Sequence, residues 1–167
     1  SSVINEKFKR VFHIPFESVR KMMSTVNESQ NKKYIFTKGA PVETISRCST
    51  ILIDGVKEEL TKERIEKIKE ENDRFASEGL RVIAAAYREC SGTDEKYSKE
   101  CVEKELTFLA LVAMVDPPRA EVFEAVEKCK NAGIRIIMVT GDYGLTARAI
   151  AHKIGITEKM DDAVIIT

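Results

Sequence analysis

With 167 residues, 43% of them hydrophobic, the chain can bury a core and form one domain, or a small domain with part of another. Its 27 lysines and arginines balance 27 aspartates and glutamates, which excludes a strongly basic footprint for nucleic acid or an anionic membrane surface and leaves function to local sites. No apolar run approaches the roughly 18 residues of a membrane helix, no signal-peptide pattern is visible, and Cys48, Cys90, Cys101 and Cys129 form no CxxC pair, so the expectation is a soluble chain with reduced thiols and no metal site.

Residues 10–37 alternate in three short runs, VFHIPF, RKMMSTV and KYIFTK, with the polar segment 27–32 before the third; this predicts an antiparallel meander. A short helix is expected over 41–48, with proline at its first position, then a strand over 50–53 and a hairpin turn at Asp54-Gly55. Thr61 can cap a helix running to about Glu78, with Ile65, Ile68 and Phe75 on one face and Gly79 as its stop. A buried strand follows at 81–87, and the polar stretch 89–104 carries no readable motif. The apolar run 106–115 ends in Asp116-Pro117-Pro118, where the diproline forces a stiff, extended connection and marks a domain boundary.

Beyond it the pattern changes to a helix over 119–132 closed by Gly133, a strand over 134–139, the loop TGDYG, a helix to Lys153 closed by Gly155, and a last strand over 163–166. Alternation of this kind predicts a parallel, doubly wound sheet. The fold class expected is therefore α/β: an α+β part with an antiparallel sheet, then part of a Rossmann-like parallel sheet.

Thr140-Gly141-Asp142 is the sharpest local signal, because the loop after a parallel strand, leading into a helix N-terminus, gathers phosphates. Gly141 permits close approach, and Thr140 and Asp142 offer a hydroxyl and a carboxylate. Taken alone, the same residues also fit a turn in which Asp142 and Thr146 cap a helix. Lys38-Gly39 would present an ammonium at a sheet rim, although most lysines simply sit in solvent. Phe16 reads as a core or hairpin side chain or as a platform for a base, and Arg81 as a phosphate ligand or the charged start of a strand. His13 and His152 are isolated and read as neither catalytic nor metal-binding.

Five strings together resemble the P-type ATPases, and within them the type II pumps related to calcium ATPases: IPFESVRKMMSTV (14–26), FTKGAPVETISRC (36–48), EGLRVIAAAY (78–87), LVAMVDPPRAEV (111–122) and AGIRIIMVTGDYGLTARAIAHKIGI (132–156). They stand in the family's order and spacing over nearly the whole chain. The resemblance implies a partial nucleotide-binding domain at 1–115 and a partial phosphorylation domain of the HAD-like class at 116–167, with a hinge near 116–119. It implies ATP and Mg²⁺ as cofactors. Phe16 would stack on adenine, Lys21 and Lys38 with Gly39 would line the nucleotide pocket, and Arg81 would reach the phosphates. Asp116 would face the nucleotide at the hinge, and Thr140, Gly141 and Asp142 would support the phosphoryl group.

The family's phosphorylated aspartate lies in a DKTGT string, and a GDGxND string settles phosphate and magnesium; neither occurs here. The chain is thus expected to be a fragment without a catalytic residue of its own, whose partners are the remaining domains and membrane helices of the same pump. Val42 stands where many relatives have glutamate, and Tyr143 where many have asparagine. The function implied is a cytoplasmic, ATP-binding piece of an integral membrane enzyme that couples ATP hydrolysis to cation transport through an aspartyl-phosphate, with calcium as the ion and no nucleic-acid partner. The alternative is a stand-alone nucleotide-binding regulatory protein lacking catalysis. Apolar edges at 106–115 and 134–139 are expected to favour self-association.

Overall fold

A computed structural model describes residues 7–90, 97–115 and 117–166. The expected meander is present as β1 (Lys9–Glu17), β2 (Met22–Ser29) and β3 (Lys32–Gly39), paired antiparallel in that order. The polar segment 27–32, expected as a separator, is mostly strand: Asn27 and Ser29 are buried, and the turn shrinks to Gln30 and Asn31. Both turn residues have positive φ, 50° and 60°, the geometry whose twist matches a tight hairpin.

α1 (Pro41–Ile45) is shorter than predicted, because Ser46 turns back to donate its hydroxyl to the Glu43 carbonyl and Cys48 already enters β4 (Cys48–Ile53). Asp54 and Gly55, at φ 49° and 82°, close the expected hairpin to β5 (Val56–Glu59). α2 (Lys62–Ser77) begins with the Arg64 amide donating to Thr61 Oγ1, and it ends where Gly79 takes φ 79° and the Leu80 amide donates back to the Phe75 carbonyl. β6 (Arg81–Cys90), the single-turn α3 (Lys99–Val102) and β7 (Leu106–Met114) follow.

The seven strands form one sheet in the order β1-β2-β3-β6-β7-β4-β5. It is mostly antiparallel, as expected for this part of the chain, with β4 and β7 added as a parallel pair. Alternation in register puts Ile14, Val26, Ile35 and Ala86 on one face, where they pack with Val102 and Leu106. Ile45, Leu60, Ala84 and Phe108 form a second cluster, joined by Ile65 and Ile68 from the predicted apolar stripe of α2. Each large side chain buried this way contributes about 1.5–3 kcal/mol.

The chain divides into two compact units. The first holds the described residues of Ser1–Lys69 and of Ile83–Val112, and the second Glu70–Val82 with the described residues of Ala113–Thr167. In the second, α4 (Glu121–Asn131) and α5 (Gly144–Lys153) bury Val126, Ala149, Ala151 and Ile154. Gly133 and Gly155 stop these helices at φ 70° and 80°, as the sequence predicts. A short 3₁₀ turn, Met160–Asp162, follows.

The strands expected at 134–139 and 163–166 are not formed. A strand exists through its ladder, and no described residue pairs with either segment; Ile137, Val139, Val164 and Ile166 stand 76–92% exposed. The parallel, doubly wound sheet expected for this part is therefore absent among the described residues. No described helix is long and apolar enough to cross a membrane.

Candidate functional site

Between the pairs Ile14↔Ser24 and Glu17↔Met22, β1 contributes Pro15 and Phe16 while β2 contributes Met23 alone. Two residues opposite one make a β-bulge, a device that re-aims a side chain, and Pro15 suits it because proline has no amide to offer the ladder. Met23 in turn faces Lys38 on β3, and Lys38 faces Ala85 on β6. The bulge, Met23 and Lys38 thus form one cross-strand row. The Phe16 ring is 61% exposed, and among the described residues it has no ring contact and Lys38 no ion pair. An unpartnered apolar ring and an unpartnered ammonium on either side of a thioether can receive a ligand with a flat apolar part and a negative part.

Lys21, the turn residue immediately before β2, has φ 51°, a left-handed conformation uncommon outside glycine. Its amide donates to the Glu17 carbonyl at 2.7 Å and its carbonyl accepts from the Ala40 amide at 2.8 Å. Unlike Lys38, it is partnered: Nζ is 2.8 Å from Glu43 Oε1 on α1. The pair is largely exposed and contributes at most about 1 kcal/mol, so it does not lock the ammonium away. Gly39 needs its hydrogen side chain, since a Cβ there would meet Met22 Cβ at 2.4 Å and the Lys21 carbonyl at 2.5 Å. Its observed role is to let β3 approach the backbone that presents Lys21.

Arg20 and Glu103, which the sequence did not single out, underlie this row. Glu103 is 4% exposed and the Arg20 side chain 11%. Arg20 Nη1 donates to Glu103 Oε1, Nε donates to Glu17 Oε2 at 3.1 Å, and Nη2 donates to the Pro15 carbonyl at 2.5 Å. Ser24 Oγ donates to the same Glu103 oxygen at 2.7 Å and lies 2.9 Å from Thr37 Oγ1. The buried charge is therefore paired and hydrogen-bonded, the condition under which a carboxylate tolerates burial. The one sequence signal for Glu103 is its place between Val102 and Leu106, both in the core, within a stretch that otherwise reads as a polar excursion.

The second unit holds the remaining described candidates. Thr140 Oγ1 donates to Asp142 Oδ2 and accepts from the Asp142 amide, both at 3.1 Å, so the two side chains close their own small turn. Asp142 does not cap α5: the capping position is Tyr143, without a side-chain bond to the helix. Thr146 is buried and donates instead to the Leu80 carbonyl at 3.1 Å. Arg81 Nε stands 4.0 Å from Asp142 Oδ1. The Tyr143 hydroxyl donates to Asp73 Oδ1 at 3.0 Å, and burial, then Asp73, raises its pKa above the ordinary phenol value. Gly141 has open space where a Cβ would stand. Asp116 lies outside the described residues.

Among the described residues no three His, Cys, Asp or Glu side chains gather as a metal site. Asp142, the acid of the TGD loop, has Arg81 and Thr140 as its neighbours. This donor set does not fit a resident divalent ion.

The mixed seven-stranded sheet, with helices beside it, makes this an α/β fold. The model of the P-type ATPase cytoplasmic domain N matches residues 1–121. A calcium-transporting ATPase of Listeria monocytogenes is 40% identical over 96% of this chain and 18% of its own length, and one of Lactococcus lactis matches to the same extent. The sodium/potassium-transporting ATPase alpha subunit of Hydra vulgaris is 39% identical over 92% of this chain and 16% of its own. The chain belongs to the P-type ATPase family, and it spans less than a fifth of the length of these curated relatives.

Proposed function

We propose that this chain binds ATP as the nucleotide-binding part of a cation-transporting P-type pump, with calcium as the ion. The observation that carries the nucleotide reading is the row in which exposed Phe16 and unpaired Lys38 flank Met23. The ring is suited to adenine and the ammonium to phosphate, with Lys21 beside them and Gly39 keeping the two strands close. Calcium is favoured by the names of the relatives from Listeria and Lactococcus and by the IPFESVRKMMSTV string.

In this reading residues 1–115 form the nucleotide-binding part and 116–167 part of a HAD-like phosphorylation domain, hinged near 116–119. Arg81 reaches the phosphates, Asp116 faces the nucleotide at the hinge, and Thr140, Gly141 and Asp142 support the phosphoryl group. Mg²⁺ enters on the nucleotide, since the described acids do not make a site for it. The remaining domains and membrane helices of the pump are the partners, and the chain works on the cytoplasmic side. Hydrolysis proceeds through an aspartate outside this sequence, so the chain alone is not catalytic.

Calorimetric titration of ATP into the 167-residue chain tests the pocket. Phe16→Ala and Lys38→Ala should each weaken binding about tenfold, the loss of one stacking or charge-assisted contact. Wild-type affinity in both variants would remove the pocket drawn here.

A further inference from the structure

The Arg20 guanidinium joins three parts of the chain. It bonds the Pro15 carbonyl, the Glu17 carboxylate and the Glu103 carboxylate, and it is nearly buried in doing so. The Pro15 carbonyl belongs to the peptide immediately before Phe16, so the bond holds the plane from which the Phe16 ring departs. A bulge has lost ladder hydrogen bonds at that point and leaves its peptide free to turn unless another donor fixes it. Glu103 is itself held by Ser24, which shares its hydroxyl contact with Thr37 of β3. A chain of contacts therefore runs from β3 through Ser24 and Glu103 to Arg20 and the bulge. Arginine suits the position because its planar fork meets the three acceptors from three separate nitrogens, whereas lysine would have to reach them all from one.

We infer that Arg20 is a positioning residue for nucleotide: anchored on buried Glu103, it fixes the Pro15–Phe16 peptide and so sets the Phe16 ring to receive a purine base. This rests on the reading above that Phe16 meets the base of ATP. Arg20 touches no ligand in this arrangement; its effect passes through Phe16.

The test is a double-mutant cycle on the full chain, with ATP affinity measured by calorimetry for wild type, Arg20→Gln, Phe16→Ala and the double variant. Arg20→Gln should weaken ATP binding roughly tenfold when Phe16 is present and less than about twofold when it is alanine, the non-additivity expected of residues acting through one contact. Affinity for inorganic tripolyphosphate, which has no base, should change less than about twofold. Arg20→Lys, which keeps the charge but loses the fork, should fall between wild type and Arg20→Gln, and it carries the same cycle if Arg20→Gln does not fold. Equal losses in both backgrounds, or wild-type ATP affinity in folded Arg20 variants, would overturn the inference while leaving the pocket in place. ATP binding by wild type that ignores Phe16→Ala would overturn the nucleotide reading itself, and the inference with it.

Discussion

Gly39 and Met22 are opposed on adjacent strands so closely that a Cβ on Gly39 would stand 2.4 Å from that of Met22. Met22 is 1% exposed and cannot swing away, and the Lys21 carbonyl closes the other side at 2.5 Å. Gly39→Ala should therefore destabilise the fold by about 1–3 kcal/mol through overpacking. Urea unfolding followed by circular dichroism reads the change; a variant as stable as wild type would mean that β2 and β3 separate at this end without cost.

The second prediction concerns the two lysines, which differ in their freedom. Lys21 shares its charge with Glu43 while Lys38 has no ion pair among the described residues. If ATP binds as proposed, its phosphates compete with Glu43 for Lys21, so Glu43→Gln should tighten ATP binding about two- to fivefold, the worth of an exposed pair. The gain should vanish in a Lys21→Ala background. Calorimetry of the four variants decides it, and weaker binding by Glu43→Gln would show that the carboxylate helps to hold Lys21 in place.

The turns and helix stops were legible because they depend on local chemistry: Asp54-Gly55, Gly79, Gly133 and Gly155 all take the positive φ that the sequence led one to expect. The meander was legible from its alternation, and so were the chain positions of Phe16 and Lys38. Their common row was not, since it depends on a bulge at Pro15 and Phe16 that is visible only in the register with β2. Glu103 was hidden for a related reason: charge predicts exposure, and only the partners Arg20 and Ser24, 83 and 79 residues away, make its burial tolerable. The opposite error fell on 134–139, where an apolar run promised a strand and no described neighbour supplies the ladder.

The third prediction separates two cysteines. Burial pushes the Cys48 thiol up to about 12, and its Sγ donates to the Thr44 carbonyl, so almost none is thiolate near neutrality. Cys101 is exposed. Treatment of the native protein with iodoacetamide at pH 8, followed by peptide mass spectrometry, should label Cys101 at least tenfold faster than Cys48. Comparable rates would mean that the loop from α1 to β4 opens on the labelling timescale.

The fourth prediction is the response of stability to acid. Glu17 is held below its usual value of 4.5 first by Lys99 and then by Arg20, Glu89 by Lys32, Glu71 by Arg74, and Glu63 by Lys67. A carboxylate whose folded pKa is depressed binds fewer protons in the folded than in the unfolded chain as pH falls, so its stabilisation is present above the unfolded pKa and lost on descent through the folded one. The melting temperature should therefore be level from pH 7 to about 5 and decline progressively below about 4.5. Because these pairs are exposed, 0.5 M salt should flatten the decline. Glu17→Gln should also flatten it, while lowering the plateau slightly because the Arg20 and Lys99 contacts are lost. A melting temperature that rises between pH 5 and 3 would contradict the sign of every shift named here, and it would place the controlling titration in a group other than these surface glutamates.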